Sequence, residues 1–317
     1  MKKLLLITPL LLALAVNTAS AGKLTVDGEV SAELKHELNS VEDFSKTGYK
    51  LTSIVNFKYQ FDKNWAAYTR VAAQQANLKY DFYTERSPGA TDSKAAIDQF
   101  GVVYQNAGIN YQLGQQSLKI GQQGLIFDNT PYVGRELAAV KAINIYGNLG
   151  KTEFMAVYGQ MYATRALADK RLDITALSFT APVGKSTKLG ASYAHSTHNE
   201  LASMNSYALH AEQQFGKLKL MLEGLRSSAA TANQAYALSV AYEPTDKDYF
   251  AIIANKSEAN AAIAGFTAFE NDQKGFVYQY ERKFNNDLKL KLEYVDNRYI
   301  LQSGKYQVFT TAVAYTF

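Results

Sequence analysis

Polar and apolar residues alternate with a period of two along most of the chain. Side chains of a β-strand point alternately to its two faces, so this period predicts strands with one apolar and one polar face. In one late segment the apolar set is Leu288, Leu290, Leu292 and Tyr294, and the polar set is Lys289, Lys291 and Glu293. The same period occurs in residues 24–34, where three acids share the polar face. No stretch after residue 21 has a helical period, so the pattern predicts an all-β protein.

Short and long connections alternate between the predicted strands. The short connections lie near residues 62–64, 106–108, 149–150, 182–184, 215–216, 244–246 and 285–286. The longer connections lie near residues 39–48, 85–94, 117–134, 163–170, 196–204, 227–233, 257–271 and 297–304. This rhythm predicts about sixteen strands, an even number that is typical of closed barrels in which both termini lie on one side.

Charged residues recur on one face of the predicted strands. A Lys or Arg that faces lipid at mid-depth costs about 2–4 kcal/mol, so we expect these charges to face a water-filled lumen. The predicted pore-lining residues are Glu212, Lys219, Glu223, Lys289, Lys291 and Glu293. The register is ambiguous near Val140 and Ile253, where apolar residues occupy both faces.

The first residues have the pattern of an export signal. Lys2 and Lys3 precede an apolar run over residues 4–16, and residues 19–21 read Ala-Ser-Ala. This pattern predicts a signal peptide at residues 1–21 and a mature barrel domain at residues 22–317. An uncleaved anchor is the alternative, although the apolar run is shorter than the roughly 20 residues that span a bilayer.

Composition narrows the possible functions. The chain has 22 Tyr, 16 Phe and no Cys, so disulfide frameworks and thiolate metal sites are excluded. Removal of Lys2 and Lys3 lowers the formal net charge from +4 to +2, which is too small a charge to indicate nucleic-acid binding. The near balance of acids and bases leaves the ion preference open. No nucleotide or phosphate motif is present, and we expect no cofactor.

The last predicted strand, residues 305–317, places aromatic and apolar side chains on one face. Phe309, Val313, Tyr315 and Phe317 belong to this set. An unpaired strand edge invites aggregation, so a strand at the very end favours closure against a neighbour on each side. The segment resembles the C-terminal signature of Gram-negative outer-membrane barrels. That resemblance implies an outer-membrane location and pairing with the first strand, whereas a soluble β-sandwich is the alternative.

The third long connection, residues 117–134, is too apolar for a loop in solvent. It is similar in position to the third external loop of Gram-negative general diffusion porins, although the common Pro-Glu-Phe-Gly motif is absent and residues 124–128 read Gly-Leu-Ile-Phe-Asp. The resemblance implies a loop that folds into the lumen and narrows it. The constriction residues that it implies are Lys119, Asp128 and Glu136 on the loop, Arg135 on either side, and Arg70 and Lys58 on the wall. An external lid packed on its own apolar residues is the alternative.

The resulting interpretation is a transmembrane, antiparallel, up-and-down β-barrel that acts as a porin. The resemblance implies passive diffusion of small hydrophilic solutes and ions, contact with outer-membrane lipid, and a homotrimer. A channel specific for sugars or organic acids remains an alternative. An outer-membrane barrel enzyme is a further one, but no Ser or Asp converges in sequence on His195, His198 or His210 as catalysis would require. We therefore expect no enzymatic activity.

Overall fold

The structure, a computed structural model, describes residues 22–77, 92–134, 139–163, 170–198, 203–262 and 266–317. The predicted signal peptide at residues 1–21 lies outside the described residues. No helix among the described residues is long and apolar enough to cross a membrane.

Sixteen strands of the described residues form one closed barrel, and each neighbouring pair is antiparallel. The barrel strands are β1 (Lys23–Asn39), β2 (Phe44–Gln60), β3 (Trp65–Ala76), β4 (Asp92–Asn106), β5 (Ile109–Gln116), β8 (Val140–Leu149), β9 (Thr152–Ala163), β10 (Lys170–Pro182), β11 (Thr187–His198), β12 (Met204–Phe215), β13 (Leu218–Ser227), β14 (Gln234–Tyr242), β15 (Asp248–Ser257), β16 (Gln273–Lys283), β17 (Leu288–Tyr299) and β18 (Lys305–Thr316). Two short strands, β6 (Lys119–Ile120) and β7 (Phe127–Asp128), form a separate sheet. The predicted strand number and fold class are confirmed.

The two faces of the barrel wall differ as the period of two predicts. On β12, Leu209 is 72% exposed on the outer face, whereas its neighbour Ala208 is 2% exposed on the inner face. Leu34 on β1 and Leu238 on β14 are likewise exposed outward. A continuous apolar outer surface is unfavourable in water, and hydrocarbon is the solvent that suits it.

The last strand closes the barrel against the first. Gly28 N donates to Phe317 O at 3.0 Å, and Phe317 N donates to Gly28 O at 3.1 Å. The register continues with Val30 opposite Tyr315 and Ala32 opposite Val313. Closure removes the unpaired edges that a sheet of this size would otherwise present. The predicted pairing of the first and last strands is confirmed.

The first long connection is shorter than the sequence pattern suggested. Residues 39–48 were expected to form a polar loop, but β1 continues to Asn39 and β2 begins at Phe44. The side chain of Asn39 accepts hydrogen bonds from the backbone N–H groups of Val41 (3.0 Å) and Glu42 (3.2 Å). Asp43 then adopts a positive φ of 48°. An Asx-type turn of this kind reverses the chain within a few residues, which lets both polar strands extend past the expected boundary.

Candidate pore and its inward loop

The third long connection, between β5 and β8, is buried although its residues are not part of the barrel wall. Ile120, Ile126 and Phe127 are each 0% exposed. They belong to one apolar cluster with inner-face residues of β9 to β14, namely Met161, Ile174, Ala176, Ala194, Ala208, Leu225, Ala235 and Ala237. One connection can reach all of these strands on their inner faces only from inside the closed barrel. We call residues 117–134 the inward loop.

The tip of the inward loop is hydrogen-bonded to the wall at β12 to β14. Gln123 N donates to Glu223 Oε2, and Gln123 Nε2 donates to the carbonyl oxygen of Ala237 at 2.8 Å. Gln122 Nε2 donates to Glu212 Oε2 at 3.3 Å. Glu223 is 0% exposed as a result, whereas the sequence pattern predicted a hydrated pore-lining position. The residue does face inward, but the loop covers it.

The base of the inward loop is fixed by an ion pair on the opposite wall. Arg70 Nε and Nη2 donate to the two carboxylate oxygens of Asp98 at 2.8 and 2.7 Å. Asp98 Oδ2 also accepts from Gly134 N at 2.9 Å, and Arg70 Nη2 donates to Tyr132 O at 3.3 Å. Bidentate pairs of this kind combine strength with fixed geometry. Arg70 was expected to line the constriction, and in the structure its side chain holds the loop.

Asp98 reaches this position because β4 contains a β-bulge. Arg70 pairs with Gln99, whereas the next residue, Val71, pairs with Ile97, so Asp98 is the additional residue. A bulge places two consecutive residues against one partner and redirects a side chain. Sequence reasoning missed Asp98. The period of two breaks at this point, because the exposed apolar residue that follows Ile97 is Phe100 and not residue 99. This change of phase was the available signal.

A second connection, between β15 and β16, packs on the inward loop. Asp128 N donates to Phe266 O at 2.8 Å, and Ala268 N donates to Gly124 O at 3.1 Å. The Phe266 ring lies 5.7 Å from the Phe127 ring, centroid to centroid. Phe266 is 2% exposed. In sequence this connection has the pattern of a long loop, from which the contact with Phe127 could not be predicted.

The remaining part of the inner wall carries charges that are open to solvent. Lys289 on β17 pairs with Glu29 on β1 at 3.2 Å, and these side chains remain 41% and 34% exposed. Lys291 pairs with Glu293 at 3.0 Å, also with both side chains partly exposed. Lys58 on β2 is exposed on the same side. We call the inner faces of β1, β2, β16, β17 and β18 the wet wall.

The other predicted site residues occupy three different settings. Lys119 and Asp128 face each other across the small β6–β7 sheet, with Lys119 Nζ 3.7 Å from Asp128 Oδ2 and the Asp128 side chain only 7% exposed. Glu212 pairs with Lys219 at 3.0 Å near the loop tip. Arg135 and Glu136 lie outside the described residues.

The ambiguous register near Val140 and Ile253 has a simple physical cause. Val140 is 0% exposed in the apolar cluster of the inward loop, and Ile253 packs against that cluster. Both residues therefore face inward at places where the inner face is dry. Alternation of polar and apolar residues fails where a strand is covered on both sides.

His195 and His210 lie on opposite faces of the barrel wall. His195 Nδ1 lies 2.9 Å from Asn205 Oδ1 on outward-facing positions, and His210 Nε2 lies 2.9 Å from Thr180 Oγ1 on the inner face. The described residues contain no group of three or more His, Asp or Glu that could hold a metal ion.

No family model matches the sequence, and no curated protein matches it either. Solved structures do match. One is OmpF of Salmonella typhi in complex with daunomycin, at 14% identity and a TM-score of 0.61, covering 94% of this chain and 98% of that chain. The chain has the fold of the Gram-negative porins. A substituted porin of Rhodobacter blastica matches this chain at 9% identity and a TM-score of 0.61, covering 93% of this chain and 100% of that one.

A third matching structure is OmpT of Vibrio cholerae with loop L8 deleted, an outer-membrane protein. It is 12% identical, has a TM-score of 0.58, and covers 94% of this chain and 100% of that chain. At these identities the likeness concerns the fold. The apolar outer wall of this barrel, closed around a partly charged interior, places the protein in the bacterial outer membrane.

Proposed function

We propose that this porin barrel lets small hydrophilic solutes and ions diffuse passively across the outer membrane. The observation that carries the proposal is the division of the barrel interior. Apolar side chains of the inward loop pack against the inner faces of β8 to β14. The wet wall, in contrast, carries solvated charges such as Lys58 and the Glu29–Lys289 pair. A path along the wet wall keeps a polar solute hydrated while it crosses the apolar layer.

The inward loop narrows this path, and its two attachments keep it from moving. The Arg70–Asp98 pair holds its base, and Gln123 holds its tip against Glu223. A fixed loop sets a size limit, whereas the charges on the wall favour polar solutes. Passive diffusion needs no cofactor and no catalytic group.

Within this proposal the constriction residues keep separate roles. Lys119, with a side chain that is 44% exposed, presents a cation on the loop, and Lys58 presents one on the wall. Arg135 and Glu136 follow the inward loop in sequence and are proposed to face the path as well. Asp128 acts by holding Lys119, and Arg70 acts by holding the loop.

The absence of cysteine from the chain allows a direct test of the wet wall. Lys58→Cys should react rapidly with a charged, water-soluble thiol reagent in reconstituted barrels, and the reaction should change the single-channel current. The matched control is Phe57→Cys, because Phe57 is the neighbour on the outer face. It should react slowly and leave the current unchanged. Equal reaction at both positions would contradict a path along the wet wall.

Conductance across planar bilayers tests the role of the loop and the solute range. Deletion of residues 122–132 should raise the conductance, because it removes the part of the loop that reaches β12 to β14. Unchanged conductance would contradict the proposed narrowing. A panel of sugars and organic acids should pass without saturable block. Saturable block by one solute would instead favour a substrate-specific channel.

We also propose a homotrimer, in which the apolar outer faces of neighbouring barrels pack together. This proposal rests on the resemblance to general diffusion porins. Chemical cross-linking of the native membrane should yield a trimer band. A cross-linked sample that contains only the monomer band would reject the proposed trimer.

A further inference from the structure

Three polar side chains on the outer face of the barrel wall are joined by hydrogen bonds. His195 Nδ1 on β11 lies 2.9 Å from Asn205 Oδ1 on β12, and His195 Nε2 lies 3.2 Å from Thr197 Oγ1. His195 and Asn205 are directly opposite in register, and Thr197 is two residues further along β11. All three side chains therefore share one face of the wall. We call these three residues the outer triad.

A fourth side chain fixes the hydrogen-bonding state of the outer triad. The Tyr193 hydroxyl donates to Asn205 Oδ1 at 2.9 Å. An amide oxygen only accepts, so His195 donates to it from Nδ1. In the neutral imidazole Nε2 then carries no proton and accepts the hydroxyl proton of Thr197. A hydroxyl on one ring nitrogen and an orienting group on the other are the arrangement of a nucleophile activated by a general base.

The amide of Asn205 distinguishes the outer triad from a second histidine and threonine pair on the outer face. His36 Nδ1 lies 2.7 Å from Thr47 Oγ1, but no described side chain forms a hydrogen bond with His36 Nε2. No enzymatic activity was expected from the sequence, because a Thr and an Asn occupy the places that Ser and Asp hold in most triads. Asn205 also lies across a long connection from His195, so only the strand register brings the two together.

The outer triad lies at the boundary between lipid headgroups and hydrocarbon. β11 ends at His198 and β12 begins at Met204, so each member is within three residues of a strand end on the side of the long connections. On the side towards the membrane, the Tyr193 and Tyr207 rings lie 5.3 Å apart. Aromatic side chains are typical of this boundary. The junction of headgroup and acyl chain, where the ester groups of a lipid are found, lies at the same depth.

An open groove of about 1040 Å³ begins beside the outer triad and extends along the apolar outer face. Its lining includes Ala191, Tyr193, Tyr207, Leu209 and Gly224. A methyl group added at Gly224 would meet no atom within 4 Å, so the floor of the groove is open at this position. A groove of this size and composition can hold an acyl chain while the ester group of that chain stays at the triad.

We propose that the outer triad hydrolyses long-chain acyl esters of membrane lipids, with the acyl chain in this groove. Thr197 Oγ1 attacks the ester carbonyl carbon while His195 Nε2 takes the hydroxyl proton. The bond from that carbon to the alcohol oxygen then breaks, and His195 gives the proton to the departing oxygen. Water attacks the acyl-threonine in the same way, which releases the fatty acid and restores the Thr197 hydroxyl.

Two further side chains support this step. Ser203 Oγ is exposed and lies 3.5 Å from Thr197 Oγ1, where it can donate a hydrogen bond to the carbonyl oxygen as negative charge develops. Asn205 is a positioning residue, because it acts only through the His195 ring. The site faces lipid and not the lumen, so this activity is additional to passive diffusion and independent of it.

Ester hydrolysis by the full mature barrel, refolded in a non-ionic detergent, tests the nucleophile. The probe is the p-nitrophenyl ester of palmitic acid. Thr197→Val should lower the rate by about 10²–10⁴-fold, whereas Thr197→Ser should keep it. The matched control is Thr175→Val, which changes an exposed threonine opposite His195 and should leave the rate unchanged. Equal hydrolysis by wild type and Thr197→Val would overturn the proposal.

Two more variants test the groove and the positioning residue. Gly224→Phe fills the groove and should slow hydrolysis of the palmitate ester but not of the acetate ester. An equal effect on both esters would show that no acyl chain lies there. Asn205→Leu should lower kcat and leave KM unchanged, and Asn205→Asp should restore kcat. An unchanged kcat in Asn205→Leu would contradict its role.

A long-chain alkyl fluorophosphonate tests the nucleophile without turnover. Attack by Thr197 Oγ1 on phosphorus displaces fluoride, so peptide mass spectrometry should find the adduct on Thr197 and not on Thr47. His195→Gln should abolish the labelling. An adduct at another residue, or labelling that persists in His195→Gln, would overturn the proposal.

Lipid substrates and conductance complete the test. Wild type should release free fatty acid from vesicles of phosphatidylethanolamine or from an acylated glucosamine disaccharide, and the two arms distinguish a phospholipid from a glycolipid source. Release from neither would overturn the assignment to lipids. Thr197→Val should have the single-channel conductance of wild type, so failure of this proposal and failure of the proposed pore are distinguishable.

Discussion

Replacement of Asp98 by alanine should loosen the inward loop and destabilise the barrel at the same time. Asp98 is 0% exposed and accepts two hydrogen bonds from Arg70 and one from Gly134 N. Asp98→Ala leaves the guanidinium, whose side chain is 12% exposed, without its partner. Loss of one member of a buried ion pair costs about 3–5 kcal/mol. Because Arg70 is not fully buried, we expect about 3 kcal/mol in the free energy of unfolding.

Urea unfolding in lipid vesicles can measure this loss, because the chain has a single tryptophan, Trp65, on the strand that carries Arg70. The matched control is Glu29→Ala. It breaks a solvated pair with Lys289 and should cost about 0–1 kcal/mol. Single-channel currents of Asp98→Ala should also fluctuate more, since the loop base is released.

A double variant separates the ion pair from general disruption. Arg70→Met/Asp98→Leu removes both charges, so no unpaired charge stays buried, and it should be more stable than Asp98→Ala alone. If Asp98→Ala costs no more than Glu29→Ala, the buried pair does not hold the loop and the reasoning fails.

Three further changes test other parts of the interior and the closure. Phe266→Ala removes the ring that packs on Phe127, should cost about 3–5 kcal/mol in the free energy of unfolding, and should raise the mean single-channel conductance. Gly121→Ala places a methyl group at φ 92° against the Glu223 carboxylate, so urea unfolding should show a loss of about 1–3 kcal/mol. Phe317→Ala should slow folding into vesicles, followed by gel mobility of unheated samples, because the ring covers the first strand at closure.

Suitable controls exist for each of these changes. Phe284→Ala removes an exposed ring near a short turn and should leave conductance and folding rate unchanged. Gly108→Ala also sits at positive φ, 80°, but its added methyl group meets no atom within 4 Å. The difference between Gly121→Ala and Gly108→Ala thus isolates the contact with Glu223. Equal losses at the two glycines, or equal folding rates for Phe317→Ala and Phe284→Ala, would contradict these expectations.

The sequence predicted the wall of the barrel well because the wall obeys a local rule. Each strand residue faces either lipid or the interior, so alternation at residues such as Leu290 and Lys291 reports the face directly. The terminal strand is the clearest case, since the apolar set ending at Phe317 is outward-facing and pairs with β1 as expected. The alternation of short and long connections predicted an even number of strands.

The interior was harder to predict because its contacts are distant in sequence. Glu223 has the alternation of a solvated residue, yet Gln123, a hundred positions earlier, covers it. In sequence, Phe266 cannot be distinguished from an ordinary loop residue, and only the folded structure shows that it packs on Phe127. Alternation specifies the face of a side chain and carries no information on what covers that face.

A charge on the inner face can therefore have two opposite roles, and its surroundings decide which. Lys289 and Glu29 are paired but solvated, so loss of either should alter the pore field and leave the fold intact. Arg70 and Asp98 have the same chemistry, but burial turns the pair into an attachment for the loop. The bulge at Asp98 makes this possible, because regular pairing would leave the carboxylate facing lipid on the other side of the sheet. An irregularity of a single residue in β4 thus determines where the last residues of the inward loop, Tyr132 and Gly134, are attached to the wall.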